Sequence, residues 1–209
     1  MSLLEAIVLG LVQGLTEFLP ISSSGHLLVV PTALGWDDPG AAFTAITQLG
    51  TIAAVLLYFR TDLRDEFAGA WRGVRDPTKR DTPEVRLFTM VALGTIPIAV
   101  FGLLFRDQIE TSVRNIQLTA VLLIGFGLVM EAADRLRPQR RSIDELTVRS
   151  GVLVGFAQAL ALIPGVSRSG STITMCRMLG MQRQDAARFS FLLSIPAVLL
   201  SGIFSLREV

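Results

Sequence analysis

Long apolar runs separated by short charged clusters set the pattern of this chain. Four of the runs, at about 41–59, 87–105, 116–134 and 187–206, are close to the ~20 residues a helix needs to cross ~30 Å of hydrocarbon. They predict an all-α polytopic membrane protein. Two other apolar segments break the rule. Residues 10–26, GLVQGLTEFLPISSSGH, and 155–171, GFAQALALIPGVSRSGS, are versions of one segment at a constant offset of 145 positions. Gly10 matches Gly155, Gln13 matches Gln158, Leu15 matches Leu160, Ser22 matches Ser167, Ser24 matches Ser169 and Gly25 matches Gly170. Each copy runs as an apolar helix into a proline, then a Ser/Gly cluster, then a second short apolar stretch. After Gly25 that stretch reaches only about Leu34 before Gly35, Asp37, Asp38 and Pro39, roughly halfway across a bilayer at about 1.5 Å per residue. Each copy therefore predicts a re-entrant helix-loop-helix hairpin, and paired apolar segments interrupted by Pro and Gly point to a binding site near the midplane.

Charge placement orients the two copies. Loop 60–86 carries Arg60, Arg64, Arg72, Arg75, Lys79, Arg80 and Arg86, and loop 135–149 carries Arg135, Arg137, Arg140, Arg141 and Arg149, whereas 106–115 has only Arg106 and Arg114. The two rich loops lie two spans apart, hence on one face, which the positive-inside rule makes cytoplasmic. A second hairpin that turns back keeps Arg177, Arg183 and Arg188 on that face. The first hairpin, followed by residues 27–59 without Lys or Arg, opens to the other side. The expectation is an inverted-topology repeat in a single membrane domain: repeat 1 over 1–135, a hairpin plus three spans, and repeat 2 over 150–209, a hairpin plus one span. By symmetry the second unit would continue to about position 280, so it reads as truncated by two spans. Within loop 60–86, Leu63, Phe67, Ala70, Trp71 and Val74 fall at helical spacing with arginines on other faces, as in an interfacial amphipathic helix; a solvated loop with one anchoring Trp is the plainer reading.

Composition changes this picture little. Hydrophobic residues make up 51% and mean hydropathy is +0.55, while 19 basic residues nearly balance 18 acidic ones, which gives nucleic-acid binding no support. A single cysteine, Cys176, excludes an internal disulfide and a cysteine metal cluster. No basic leader precedes the first apolar stretch, which contains Glu5 and Glu17, so a cleavable signal is not expected.

The chemistry gathers at the breaks. A break exposes backbone N–H groups at the start of its second half-helix, where the helix dipole also favours an anion. The first break offers Ser22, Ser23, Ser24, Gly25 and His26; the second offers Ser167, Arg168, Ser169, Gly170, Ser171 and Thr172. The copies differ where it matters, since Ser23 aligns with Arg168 and His26 with Ser171. The Arg168 fork matches a phosphate or carboxylate, and an intramembrane arginine needs an anionic partner. Glu17 lies one turn ahead of the first break with Gln13 on the same face at i, i+4 spacing. A membrane-embedded carboxylate is a functional candidate; the alternative is a salt bridge to Arg168 that only holds the hairpins together. His26, three residues after Ser23 at a helix start, could serve as a base beside a hydroxyl or could be a buried hydrogen-bonding residue. Gln48 and Gln158 read as packing or loop-support amides, and Asp37 and Asp38 as solvated loop residues.

With these residues in place, QGLTEFLPISSSGH and PGVSRSGST resemble the two signature motifs of the undecaprenyl-diphosphate phosphatase, or bacitracin-resistance protein, family, and the resemblance extends through FTAITQLGTIAAV and FSFLLSIPAV over essentially the whole chain. It implies hydrolysis of a polyprenyl diphosphate to the monophosphate on the outer face of the cell membrane, recycling the lipid carrier of envelope glycan synthesis, by a multi-pass protein with that inverted fold. It also implies Ser23 as nucleophile, Glu17 and His26 as acid/base and metal-linked neighbours, and Arg168 as the phosphate-binding arginine. Ser167, Ser169, Ser171 and Thr172 would line the phosphate cradle, with a divalent cation, Mg or Ca, as cofactor. Gln13 stands where many members carry a second carboxylate, which weakens a two-carboxylate metal site. Glu17, directly or through His26, would receive the serine proton; His26 as nucleophile is a competing version. A lipid flippase or transporter is the rival class, because broken-helix inverted repeats are a transporter architecture. The sequence leaves the oligomeric state open, a homodimer included.

Overall fold

The computed structural model describes residues 1–206 apart from 77, 79, 106–115 and 137. Among the described residues the chain is helical, with nine α-helices and no strand. They are α1 Leu3–Phe18, α2 Ser23–Leu34, α3 Gly40–Tyr58, α4 Arg60–Arg75, α5 Pro83–Leu104, α6 Ile116–Leu136, α7 Val148–Ala159, α8 Arg168–Met178 and α9 Arg183–Leu206. Three of these, Pro83–Leu104, Ile116–Leu136 and Arg183–Gly202, contain stretches long and apolar enough to cross a membrane. The expected run at 41–59 forms α3, of which Ile46–Tyr58 is a shorter apolar helix.

The exterior is apolar and the interior holds polar groups. On α1, Leu4, Leu11 and Leu15 are 62–70% exposed while Gln13, Thr16 and Glu17 are buried; on α6, Val121, Ile124 and Leu128 face outward. A soluble protein would invert this arrangement, and lipid explains it. The core gathers Met90, Val154, Cys176, Met181, Phe189, Leu192 and Leu193 from α5, α7, α8, the turn after α8, and α9. The α5 and α7 backbones touch: a Cβ built on Gly155 would lie 2.2 Å from the Gly94 carbonyl oxygen, and one on Gly151 2.6 Å from Met90 Cβ. Small residues at a crossing permit this approach in membrane helices.

Both expected breaks are present, and local chemistry makes them. α1 ends at Phe18 because Pro20 pushes Leu19 into extended backbone, φ −79° and ψ 145°. Ser22 then takes a left-handed φ of 64°, rare outside glycine, and its hydroxyl caps α2 by accepting from the Gly25 amide at 3.3 Å. α2 ends as expected at Leu34 under Gly35, left-handed at φ 71°. In the second copy a short 3₁₀ turn, Leu160–Leu162, leads to extended Ile163 before Pro164, then to Gly165 at φ 96°. The Ser167 hydroxyl caps α8 from the Gly170 amide at 3.0 Å.

Charged ends tie the basic segments to one another. Arg177, 1% exposed, donates to Asp134 at the end of α6 and to the Met181 carbonyl, and Arg183 pairs with the same carboxylate. Arg188 of α9 bonds Asp62 of α4 at 2.6 Å. The 60–86 segment is helical over α4, but the expected apolar face divides. Leu63 packs on the core and Ala70 is buried beside Gly69 and Gly73, whereas Phe67, Trp71 and Val74 are exposed, with the Arg75 guanidinium 4.8 Å above the Trp71 ring. Gly69 explains the split, since a Cβ there would lie 2.5 Å from Glu84 Cβ. The small-residue stripe seats α4 on α5, and Phe67 adds an edge-on ring contact to Phe88 of α5 at 5.6 Å between centroids.

Candidate active site

The two breaks meet. The Ser169 hydroxyl of the second donates to the Leu19 carbonyl of the first at 3.0 Å, and a Cβ on Gly170 would lie 3.3 Å from the Pro20 carbonyl oxygen. The contact centres on Glu17, 8% exposed at the end of α1. Its Oε1 accepts from Arg168 Nη2 at 2.6 Å; its Oε2 accepts from Gln13 Nε2 at 2.9 Å and from Ser23 Oγ at 2.5 Å. Each donor has a distinct reason for being there. Gln13 lies one turn back on α1, Ser23 opens α2, and Arg168 opens α8 at the repeat position of Ser23. Glu17 itself aligns with Leu162, so Gln158, the counterpart of Gln13, has no carboxylate to meet. Gln158 is fully buried, and neither of its amide atoms has a hydrogen-bond partner among the described residues.

A cavity of about 390 Å³ opens from this cluster. Glu17, Ser22, Ser23, Ser24, Ser167, Arg168 and Ser169 form its polar end, and α5 and α9 supply an apolar wall that includes Ile98, Leu103, Val198 and Leu200. Ser23 and Ser24 open α2, and Arg168 and Ser169 open α8; all four line the cavity, and at these first-turn positions no carbonyl of the same helix accepts the backbone N–H. The arrangement offers one carboxylate acceptor, one hydroxyl bonded to it, and one guanidinium with donors to spare beyond its single bond to Glu17.

Not every sequence candidate reaches the cavity. His26 does not line it, and its Nδ1 bonds the Ser22 carbonyl at 2.9 Å, which makes Nδ1 the protonated nitrogen. The Ser23 hydroxyl donates to Glu17, and adjacency in sequence does not bring the imidazole onto that hydroxyl. Ser171 and Thr172, expected in a phosphate cradle, are instead 3% and 0% exposed, turned onto the Arg168 carbonyl, with Thr172 also bonded to Ser190 at 2.6 Å. Gly25 and Gly170 serve close packing: a Cβ on Gly25 would lie 3.4 Å from Thr119 Cγ2, and one on Gly170 2.9 Å from Ser167 Cβ.

Two residues were not picked out from the sequence for a role here. Thr119 of α6, fully buried, abuts Gly25, and its carbonyl oxygen would lie 2.7 Å from a Cβ on Gly165, so it touches both breaks; a lone hydroxyl in an apolar span was the only signal. Gln48 of α3, read as a packing amide, lines the cavity.

As for a cation, no group of three or more His, Cys, Asp or Glu could hold one among the described residues. The donor set at the cluster is oxygen only: the Glu17 carboxylate, the hydroxyls, and the buried Gln13 Oε1, which has no hydrogen-bond partner among the described residues. That set fits a hard cation carried mainly by substrate phosphate oxygens, the usual mode for Mg²⁺.

Comparison with known proteins bears on this geometry. A family model described as Bacitracin resistance protein BacA matches residues 6–209. The chain is 58% identical over 209 residues to the undecaprenyl-diphosphatase of Kineococcus radiotolerans, covering 100% of this chain and 74% of that protein. It is 55% identical over 208 residues to the undecaprenyl-diphosphatase of Mycolicibacterium smegmatis, covering 100% and 75%. With undecaprenyl-diphosphatase 2 of Streptomyces coelicolor it shares 50% over 220 residues, covering 100% and 76%.

Proposed function

The chain belongs to the bacitracin resistance protein family, and from that premise we propose that it is a membrane phosphatase hydrolysing undecaprenyl-type diphosphate to the monophosphate and inorganic phosphate. The reaction returns the lipid carrier to envelope glycan synthesis. The observation that carries the reading is the convergence of Ser23 and Arg168 on the Glu17 carboxylate, at the polar end of a cavity whose other wall is apolar.

The diphosphate head lies at the facing breaks, its terminal phosphate on Arg168 and the first-turn amides, with the prenyl chain leaving along the apolar wall. Glu17 Oε2 takes the proton of Ser23 as Oγ attacks the terminal phosphorus, and the bridging P–O bond breaks to release the lipid monophosphate. Water then hydrolyses the phosphoserine, Glu17 returning the proton to Oγ. Phosphoryl transfer asks chiefly for alignment and charge neutralisation, which Arg168 and the helix ends provide. His26 holds the left-handed Ser22 turn by donating its Nδ1–H to the Ser22 carbonyl. A divalent cation, Mg²⁺ or Ca²⁺, held by Glu17 and Gln13 oxygens with the substrate, would add Lewis-acid charge neutralisation.

The placement of the site follows the same reading. Arg177 and Arg183 bonded to Asp134, and Arg188 bonded to Asp62, support a second hairpin that returns to the side of the two basic loops. The first hairpin then enters from the opposite leaflet, in an inverted-topology repeat, and the site opens to the external face.

Inorganic phosphate release from detergent-solubilised undecaprenyl diphosphate, with and without chelator, tests the function. Steady release is expected. A flippase would bind the same lipid and release none, so an inactive protein that moves the intact diphosphate between leaflets would replace this reading.

A further inference from the structure

Gln48 stands in the middle of α3, between threonines that satisfy themselves. Thr44 and Thr47 donate to helix carbonyls of α3, and Thr51 donates to the Gln48 carbonyl at 2.8 Å. The Gln48 amide, half-buried on the cavity wall, has no hydrogen-bond partner among the described residues. An amide on a cavity wall with no protein partner among the described residues keeps its N–H groups available to a ligand.

Its position within the cavity follows from its neighbours. A Cβ on Gly202 would lie 2.7 Å from Leu49 Cδ2, so α3 meets α9 at the stretch whose Val198, Leu200 and Ser201 line the cavity. Gln48, the residue before Leu49, lines the cavity together with that stretch. A lipid diphosphate seated with its terminal phosphate on Arg168 and its prenyl chain along the apolar wall carries its second phosphate between the two, within the cavity that Gln48 lines. We infer that Gln48 donates its amide N–H to the lipid-linked phosphate and is a specificity residue for a diphosphate with an apolar substituent. An uncharged donor suits this place, because the lipid-linked phosphate is the product that must leave, and a second cation would retain it.

The inference rests on the phosphatase reading, and its test does not need turnover. Gln48→Met keeps length and volume and removes the amide; Gln48→Asn keeps the amide one methylene short. Equilibrium binding of a short prenyl monophosphate and of inorganic phosphate is measured for the intact protein and both variants in detergent, beside KM and kcat. Gln48→Met is expected to weaken prenyl monophosphate binding and raise KM by about 5–10-fold, the size of one lost hydrogen bond, with kcat within about twofold and phosphate binding unchanged. Gln48→Asn should fall between. Unchanged prenyl monophosphate binding in Gln48→Met, or equal weakening of both ligands, would overturn the assignment. Wild type that binds the prenyl monophosphate but releases no phosphate would reject the phosphatase reading while leaving the Gln48 contact to be judged by binding alone.

Discussion

Glu17 and Arg168, 151 positions apart, form an ion pair of 2.6 Å whose carboxylate side chain is 6% exposed and whose guanidinium is 18% exposed. The pair joins the two halves of the internal repeat. Removing one partner of such a pair leaves the other buried and uncompensated, at a cost of about 3–5 kcal/mol. Arg168→Ala and Glu17→Ala should each lower the melting temperature, and the double variant should lose much less than the sum. A double-mutant cycle by thermal unfolding in detergent checks this, and all three variants should be inactive; additive losses would mean the pair is not coupled.

Gln13 donates to the same carboxylate from one turn back. Gln13→Glu would place two carboxylates in one buried site, where they share a proton or bind a cation more firmly. The expected outcome is a lower Mg²⁺ concentration for half-maximal phosphate release and greater sensitivity to chelator. A titration of activity against free Mg²⁺ that does not move would count against Glu17 and Gln13 as the cation's protein oxygens.

The repeat mates Gly10 and Gly155 should respond oppositely to alanine. A Cβ on Gly155 falls 2.2 Å from the Gly94 carbonyl oxygen, whereas one on Gly10 meets nothing within 4 Å. Gly155→Ala must part α5 from α7 and is expected to cost about 1–3 kcal/mol. Gly10→Ala, in an open helix interior, should be neutral or gain about 0.5–1 kcal/mol. Melting temperatures of the two variants decide it.

Glu66 gives the stability a pH dependence. Burial pushes its carboxyl up from 4.5 to about 7, Arg188 at 3.9 Å opposing the shift and Asp62 adding to it. The folded protein holds this proton more tightly than the unfolded chain does. The contribution is therefore complete below about pH 4.5 and is lost as pH rises through about 7. Relative to Glu66→Gln, which cannot titrate, wild type should melt higher near pH 5.5 than near pH 8, a difference of about a few degrees. Parallel pH profiles for the two proteins would show that Glu66 does not titrate in this range.

Legibility in the sequence followed how local the physics was. Pro20 and Pro164, the Ser caps at 22 and 167, and Gly35 dictate structure within a few residues, so both breaks and the half-length α2 could be read before any coordinates. The Glu17–Arg168 pair was legible as one of two alternatives, because an apolar chain leaves a buried guanidinium few anions. What escaped depended on side-chain direction. The left-handed Ser22 put Ser23 on Glu17 and turned His26 back to the Ser22 carbonyl, although Ser23 and His26 sit three residues apart. Ser171 and Thr172 share the second motif but fall on the inner face of α8, against its own backbone and Ser190. Gln48 and Thr119 come from helices outside either motif, and only packing brings them to the breaks. For α4, hydrophobic spacing ranked Ala70 with Trp71, whereas the fit of Gly69 to Glu84 separated them.

The central claim is that the hydroxyl of one break attacks a phosphate held by the guanidinium of the other. Acid-quenched single turnover with polyprenyl diphosphate labelled in the terminal phosphate, followed by peptide mapping, tests it most directly in wild type, Ser23→Ala and Arg168→Ala. The account predicts transient label on residue 23 in wild type, none in either variant, and turnover reduced by a factor on the order of 10³ or more in Ser23→Ala. Label on His26, or Ser23→Ala turning over at the wild-type rate, would contradict it.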